Sequence, residues 1–227
     1  MGDDLAWTAG VSYRDDLNRA DASTLGANWR VDRNASPRLV GNKAVMKAQA
    51  FGEGRAGCWT SYQGGANAGR LVTDSYRVTA QLIAPGGTVA DNNFTGIVCA
   101  VADTFGAAMM LYFIVSTATG CALYTQSGLP PASGISTLQT GQTQRAVTST
   151  NIALTDQIEL RRTIVTGQSV FTGYRNGVAM SGLSWTDTSN LVASGSTNRK
   201  WGFFVEGNTP FSEYRSPGID WIEAADL

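Results

Sequence analysis

Apolar residues recur at every second position through most of the chain, and turn residues interrupt them roughly every eight to twelve positions, which predicts short strands arranged as a sandwich. Tyr76, Val78, Ala80 and Leu82 alternate with Arg77, Thr79 and Gln81, so this strand should turn one face to a core and the other to water. Pro85-Gly86-Gly87 ends it. The segments 94–101 and 107–115 are apolar on both faces and read as central strands covered from both sides, joined by a turn at Asp103-Thr104-Phe105-Gly106. Ile158 and Leu160 alternate with Gln157, Glu159 and Arg161 in another half-buried strand that runs towards Val165-Thr166-Gly167. Trp201, Phe203 and Val205 share a face of a late strand, and Ile219, Trp221 and Ile222 belong to the last one, expected to finish two or three residues before Leu227.

The strongest local signal is Asn176-Gly177 between the β-rich runs 170–174 and 178–180, because both central residues of a tight hairpin turn need positive φ and this pair tolerates it. Two segments read as loops: the small, glycine-rich 63–69, and 127–144, where Gly128, Pro130, Pro131, Gly134 and Gly141 are set among Ser, Thr and Gln. A short strand at 135–138 would shorten the second. No stretch reads with helical period. The expected architecture is an all-β, two-sheet antiparallel sandwich: one domain over residues 11–227, after an arm of residues 1–10 in which Leu5, Ala6 and Trp7 are the groups to bury.

With 43% hydrophobic and 15% charged residues the chain is globular in composition, and 26 glycines suit a turn-rich fold. The 17 basic and 18 acidic side chains leave a formal charge of −1 with neither sign gathered in a block, which argues against nucleic acid as a partner. There is no histidine, and with it go the commonest general base and the commonest transition-metal ligand. Cys58, Cys99 and Cys121 are odd in number and fit no zinc spacing, so reduced, buried thiols are expected. The acidic start Met1-Gly2-Asp3-Asp4 has no signal-peptide features, and the longest apolar run, 107–115, is too short to cross a bilayer. The expectation is a soluble protein made without its own export signal and not inserted in a membrane.

Three pieces resemble the concanavalin A-like, laminin G-like jelly-roll family, in the version found in tail and other virion proteins of phages that infect actinobacteria. The first is Asp15-Asp16-Leu17-Asn18-Arg19-Ala20-Asp21 followed by Leu25-Gly26-Ala27-Asn28-Trp29, similar to the family's opening motif, with Leu17 where Phe is usual and Ser23-Thr24 interrupting the glycine. The second is Asn93-Phe94-Thr95-Gly96-Ile97-Val98 at the entry to the central strands; the third is the hairpin Tyr174-Arg175-Asn176-Gly177-Val178. With the closing Gly218-Ile219-Asp220-Trp221-Ile222 they span nearly the whole chain. The resemblance implies a jelly roll, often with carbohydrate recognition on one sheet or its rim loops, in a phage particle. A minor tail protein at the tail tip or fibre, touching a host cell-surface polysaccharide and assembling with copies of itself and other virion proteins, is the leading reading. A capsid decoration protein is the second, and a free lectin or carbohydrate-active enzyme the third.

Candidate chemistry is sparse. Hydrolases on this jelly roll need two carboxylates flanking the scissile bond, yet the five glutamates, Glu53, Glu159, Glu206, Glu213 and Glu223, form no Glu-x-Asp-x-x-Glu run, and Glu213 with Glu223 is the one pair worth following. No Gly-x-Ser-x-Gly elbow and no phosphate loop are present. Oxygen ligands for calcium could come from Asp91, Asn92, Asn93 and Asp103, although the Asp-Asn-Asn run reads better as a turn held by its own side chains, and no cofactor is expected. Asn34-Ala35-Ser36 and Asn93-Phe94-Thr95 match glycosylation sequons and are read as chance. For sugar binding, which needs an aromatic platform beside hydroxyl-binding groups, the candidates are Tyr124, Tyr174, Arg175 and Trp185. Trp7 is the candidate assembly contact, and Trp29, Trp59, Trp201 and Trp221 are read as core.

Overall fold

The alternating segments form strands in the computed structural model, which describes residues 10–86, 88–89, 93–130, 132, 141–209 and 213–227. In chain order they are β1 (Ser12–Asp15), β2 (Trp29–Arg33), β3 (Arg38–Leu39), β4 (Ala44–Val45), β5 (Ala56–Tyr62), β6 (Tyr76–Ile83), β7 (Thr88–Val89), β8 (Thr95–Val101) and β9 (Met110–Val115). There follow β10 (Cys121–Gln126), β11 (Gln142–Thr148), β12 (Gln157–Val165), β13 (Gln168–Arg175), β14 (Val178–Asp187), β15 (Lys200–Asn208), β16 (Tyr214–Arg215) and β17 (Gly218–Asp226). The first sheet runs β14-β13-β12-β6-β17-β4-β3, with β1 also on β17; the second runs β11-β10-β9-β8-β15-β16-β7, with β5 on β15 and β2 on β5. Pairing is antiparallel save for the short contact of β7 with β16. The result is an all-β jelly-roll sandwich of two sheets. Among the described residues no helix is long and apolar enough to cross a membrane.

The inward set on β6, Tyr76, Val78, Ala80 and Leu82, is buried as its period requires, and Trp201, Phe203 and Val205 of β15 face it from the other sheet. The predicted hairpin joins β13 to β14, with Asn176 at φ 50° and Gly177 at φ 77°. Asn176 also fastens the turn to its surroundings, accepting from the Gln157 N–H and donating to Asp156, each at 2.8 Å. The three cysteines are free and buried.

Every residue of β8 and β9 is buried, so the centre of the second sheet is covered on both faces as the two-sided apolar pattern required. Its inner face joins the main core; its outer face carries a second cluster of Trp59, Val98, Met110, Tyr112, Ile114 and Phe204. Trp59 stacks on Phe204 with centroids 4.2 Å apart, and Tyr112 meets Trp59 edge-on at 5.4 Å. Gly96 makes this packing fit, since a Cβ there would lie 2.2 Å from the Phe204 ring. The turn after β8 lays Phe105 against Trp59, and Arg33 holds the carbonyl of Pro130 at 3.0 Å, drawing the segment after β10 towards the same sheet.

The opening motif proves to be a structural knot. Asp15 accepts hydrogen bonds from the indole N–H of Trp29 at 2.7 Å, from the Leu17 backbone N–H at 2.9 Å and from both terminal nitrogens of Arg19. Trp29 in turn packs against Tyr62, Trp201 and Phe203 at 5.0–5.6 Å, so one carboxylate ties the first strand of one sheet to the aromatic core of the other.

Three expectations need correction or restriction. Trp221 is not core: a bulge between Ile219 and Trp221 shifts the phase of β17, Ile219 and Ile222 take the buried positions, and the Trp221 ring lies half-buried under the Arg14 guanidinium at 4.0 Å. The last strand continues to Asp226, because that residue's carboxylate accepts from the backbone N–H groups of Val11, Val72 and Thr73 and holds the end in place. The strand expected at 135–138, the arm up to residue 9 with Trp7, and Asp91 and Asn92 lie outside the described residues.

Burial pushes the Asp15 carboxyl up, but the hydrogen bonds from Arg19, Trp29 and Leu17 outweigh it, and its pKa falls below the ordinary aspartate value of 3.8. Stability from such a group is complete above the unfolded-state pKa and lost as pH falls through the lower folded value. Asp74, Asp103 and Asp156 are lowered in the same sense, so unfolding by acid should set in only below about pH 4, as followed by far-UV circular dichroism. Asp15→Ala leaves the buried Trp29 N–H unpaired and should cost about 1–3 kcal/mol at neutral pH in urea denaturation.

Candidate functional site

Sugar recognition asks for an aromatic surface, an amide or carboxylate beside it, and room for a ring. On the outer face of the second sheet, pairing brings Tyr124 of β10 between Tyr112 of β9 and Gln144 of β11. The Tyr124 and Tyr112 rings lie nearly parallel, 14° apart with centroids at 5.7 Å, and the Tyr124 hydroxyl donates to Gln144 Oε1 at 2.8 Å. One row along, Ala122 pairs with Ile114 and with Val147, and Ile114 pairs with Gly96. Tyr124, Gln144, Ile114, Ala122 and Val147, with Phe94 and Thr119, line a hollow of about 220 Å³.

Burial raises the Tyr124 hydroxyl above its ordinary pKa, so it stays protonated at neutral pH, while the Cys121 thiol belongs to the inner core. Behind Phe94 the fully buried Glu206 carboxylate accepts from Arg55 Nη2 at 2.6 Å and from the Phe94 N–H at 3.0 Å, and the Arg55 guanidinium lies 5.5 Å from the Phe94 ring. The bond to the Phe94 N–H fixes the wall.

The other candidates are elsewhere. Trp185 of β14 stacks on Phe171 at 5.7 Å, with Arg145 of β11 4.7 Å over its ring, at the side of the sandwich where β11 and β14 meet. Tyr174 lies on the outer face of the first sheet beneath Arg161, which sits 4.2 Å over its ring and also binds Glu159. Arg175 pairs with Asp156 at 2.7 Å beside the hairpin. The four therefore lie apart, and Tyr124 borders a hollow that has a second aromatic ring, Phe94. Phe94 was marked by the sequence only as the entry to a central strand, and Gln144 falls in the segment 127–144 read as a loop, where β11 in fact begins at Gln142; the pairing of Gln144 with Tyr124 is tertiary.

A larger hollow of about 770 Å³, bordered by Ala22, Val31, Leu39, Val40, Arg38 and Lys47, offers no aromatic ring for a sugar. Asp103, considered for calcium, is held by Arg70 through two contacts of 2.8 Å, which commits both its oxygens; Asn93 donates to Asn208 at 3.1 Å. Among the described residues no three His, Cys, Asp or Glu side chains gather as a metal site would require.

No family model matches the chain, and no curated protein matches it in sequence. Solved structures do match in fold. An endo-1,3-β-glucanase from Streptomyces sioyaensis shares 14% identity over 96% of this chain and 95% of its own, with a TM-score of 0.56. The CBM2 module of the evolved Dit of Lactobacillus casei BL23 phage J-1 shares 7% over 95% and 96%, at 0.53. Lectin UEA-II, solved with galactose, shares 9% over 96% and 99%, at 0.53. Identities this low establish the fold alone, a lectin-like jelly-roll sandwich.

Proposed function

We propose that this chain is a carbohydrate-recognition protein of a phage particle, a minor tail protein at the tail tip or fibre that holds a host cell-surface polysaccharide in the hollow at Tyr124. The observation that carries the glycan part is an aromatic and amide-lined hollow on the outer face of a lectin-like sheet. The phage part is supported by the resemblance of the opening motif and by the likeness in fold to the phage Dit module. In this reading residues 11–227 are the recognition domain, and the arm of residues 1–10, through Trp7, meets other virion proteins or further copies of the chain.

Binding is favoured over hydrolysis because every glutamate is already engaged by a basic side chain. Glu53 binds Lys47, Glu159 binds Arg161, Glu206 binds Arg55, Glu213 binds Arg38 and Arg215, and Glu223 pairs with Arg14 and Arg77. Glu213 precedes β16 in one sheet while Glu223 sits on the central β17 of the other, so the pair singled out for catalysis has no shared setting.

Immunogold labelling of purified particles with antibody against this chain should place gold at the tail tip. Gold over the head would make it a decoration protein, and particles without gold would overturn the virion reading. Glu206→Gln should destabilise the fold by about 3–5 kcal/mol, since it removes the fully buried carboxylate charge that pairs with the partly buried Arg55. Thermal denaturation checks this, and release of sugars from host wall polysaccharide by the native protein, lost in Glu213→Gln or Glu223→Gln, would restore the enzyme alternative.

A further inference from the structure

The Tyr124 hollow is selective in three respects. Its walls carry no charged side chain: the basic residue beside Gln144, Arg145, is turned away to Thr125 Oγ1 at 2.9 Å and to the Trp185 ring, and Arg55 behind Phe94 pairs with Glu206. An acidic sugar or a phosphate would therefore shed its water without meeting a counter-charge, which is unfavourable. Its size of about 220 Å³ falls below the roughly 300–1,000 Å³ typical of sites for larger ligands, and suits one ring rather than a run of rings.

Its chemistry is also divided. Ile114, Ala122 and Val147 form an aliphatic side, where Val147 stays 54% exposed on the outer edge. Opposite, the Tyr124 hydroxyl spends its hydrogen on Gln144 Oε1, which leaves the Gln144 amide N–H groups as donors and the tyrosine oxygen as an acceptor. A sugar hydroxyl turned to the aliphatic side would lose water without gaining a partner, whereas a methyl group would bury apolar surface there.

We infer that the hollow takes a single neutral pyranose residue bearing a methyl group, a 6-deoxyhexose or an N-acetylhexosamine, at the exposed end of a glycan chain. The methyl meets Ile114, Ala122 and Val147, the ring edge lies along Tyr124 and Phe94, and ring hydroxyls meet the Gln144 amide. This rests on the glycan-binding reading and narrows it to a ligand class.

The test is saturation-transfer NMR and calorimetric titration of the full chain with methyl α-L-rhamnoside, N-acetylglucosamine, methyl glucoside and glucuronic acid, accompanied by a broad glycan array. One or both of the methyl-bearing neutral sugars should bind, ahead of methyl glucoside, with an affinity unchanged between about 0.05 and about 0.5 M NaCl. Tyr124→Ala and Gln144→Ala should each weaken binding about tenfold, and Trp185→Ala should not. Gln144 is exposed, so its variant keeps the fold, and Tyr124→Phe keeps the ring while releasing the amide. Preference for glucuronic acid, affinity that falls with salt, equal binding of methyl glucoside, or binding indifferent to Tyr124 and Gln144 would overturn the ligand class while leaving glycan recognition intact. Silence from every titrated sugar and from the array would overturn glycan recognition itself, and the ligand class with it.

Discussion

The structure depends on the two-sided burial of β8 and β9. A strand apolar on both faces cannot end a sandwich; something must cover its outer side, and here that side holds Trp59, Tyr112 and Phe204 packed ring against ring. Removing large aromatic side chains like these from water is worth roughly 1.5–3 kcal/mol each, enough to draw Phe105 and the segment at Pro130 over the sheet. The same covering decides where a ligand can go. Most of the outer face is occupied by the protein's own rings, and a hollow is left towards the margin, where β9, β10 and β11 run out past Tyr124.

Within this apolar frame the buried charges act as fasteners. Asp15 binds Trp29, Leu17 and Arg19; Glu206 binds Arg55 and the Phe94 N–H; the fully buried Arg162 donates to Ser169, Ser194 and the carbonyl of Ala193. Each makes several hydrogen bonds, which is what allows an ionic group to remain in the interior. Two of the three also hold a functional or sequence-defining element: Glu206 sets the position of Phe94 at the hollow, and Asp15 explains why the opening motif pairs acidic residues with a tryptophan some fourteen positions later. The opening motif is thus part of the folding apparatus, while Phe94 of the second resembling segment borders the hollow at Tyr124.

Much of the fold was legible because period two is a local property. The inward residues of β6, the two-sided β8 and β9, the inner face of β15 and the Asn176-Gly177 turn all follow from alternation and backbone preference, each settled within about ten residues of chain. The exceptions have local geometric causes that alternation does not encode. A bulge after Ile219 turns Trp221 outward, and Arg162 falls on the inward phase of β12, where Ser169 of the neighbouring strand and the segment at Ala193 and Ser194 receive it.

The sequence by itself determined the class of structure, the buried faces, the principal hairpin and the lack of histidine chemistry, because each is written in residue type and short-range spacing. Only the tertiary structure decided which of four aromatic and basic candidates borders a hollow, because that turns on strand register. Tyr124 meets Gln144 twenty residues away through antiparallel pairing, Phe94 arrives from before β8, and Tyr174, Arg175 and Trp185 are drawn to other surfaces by Arg161, Asp156 and Phe171. Pairing between strands is fixed by the burial of both sheets at once, a property of the whole chain that no single segment carries.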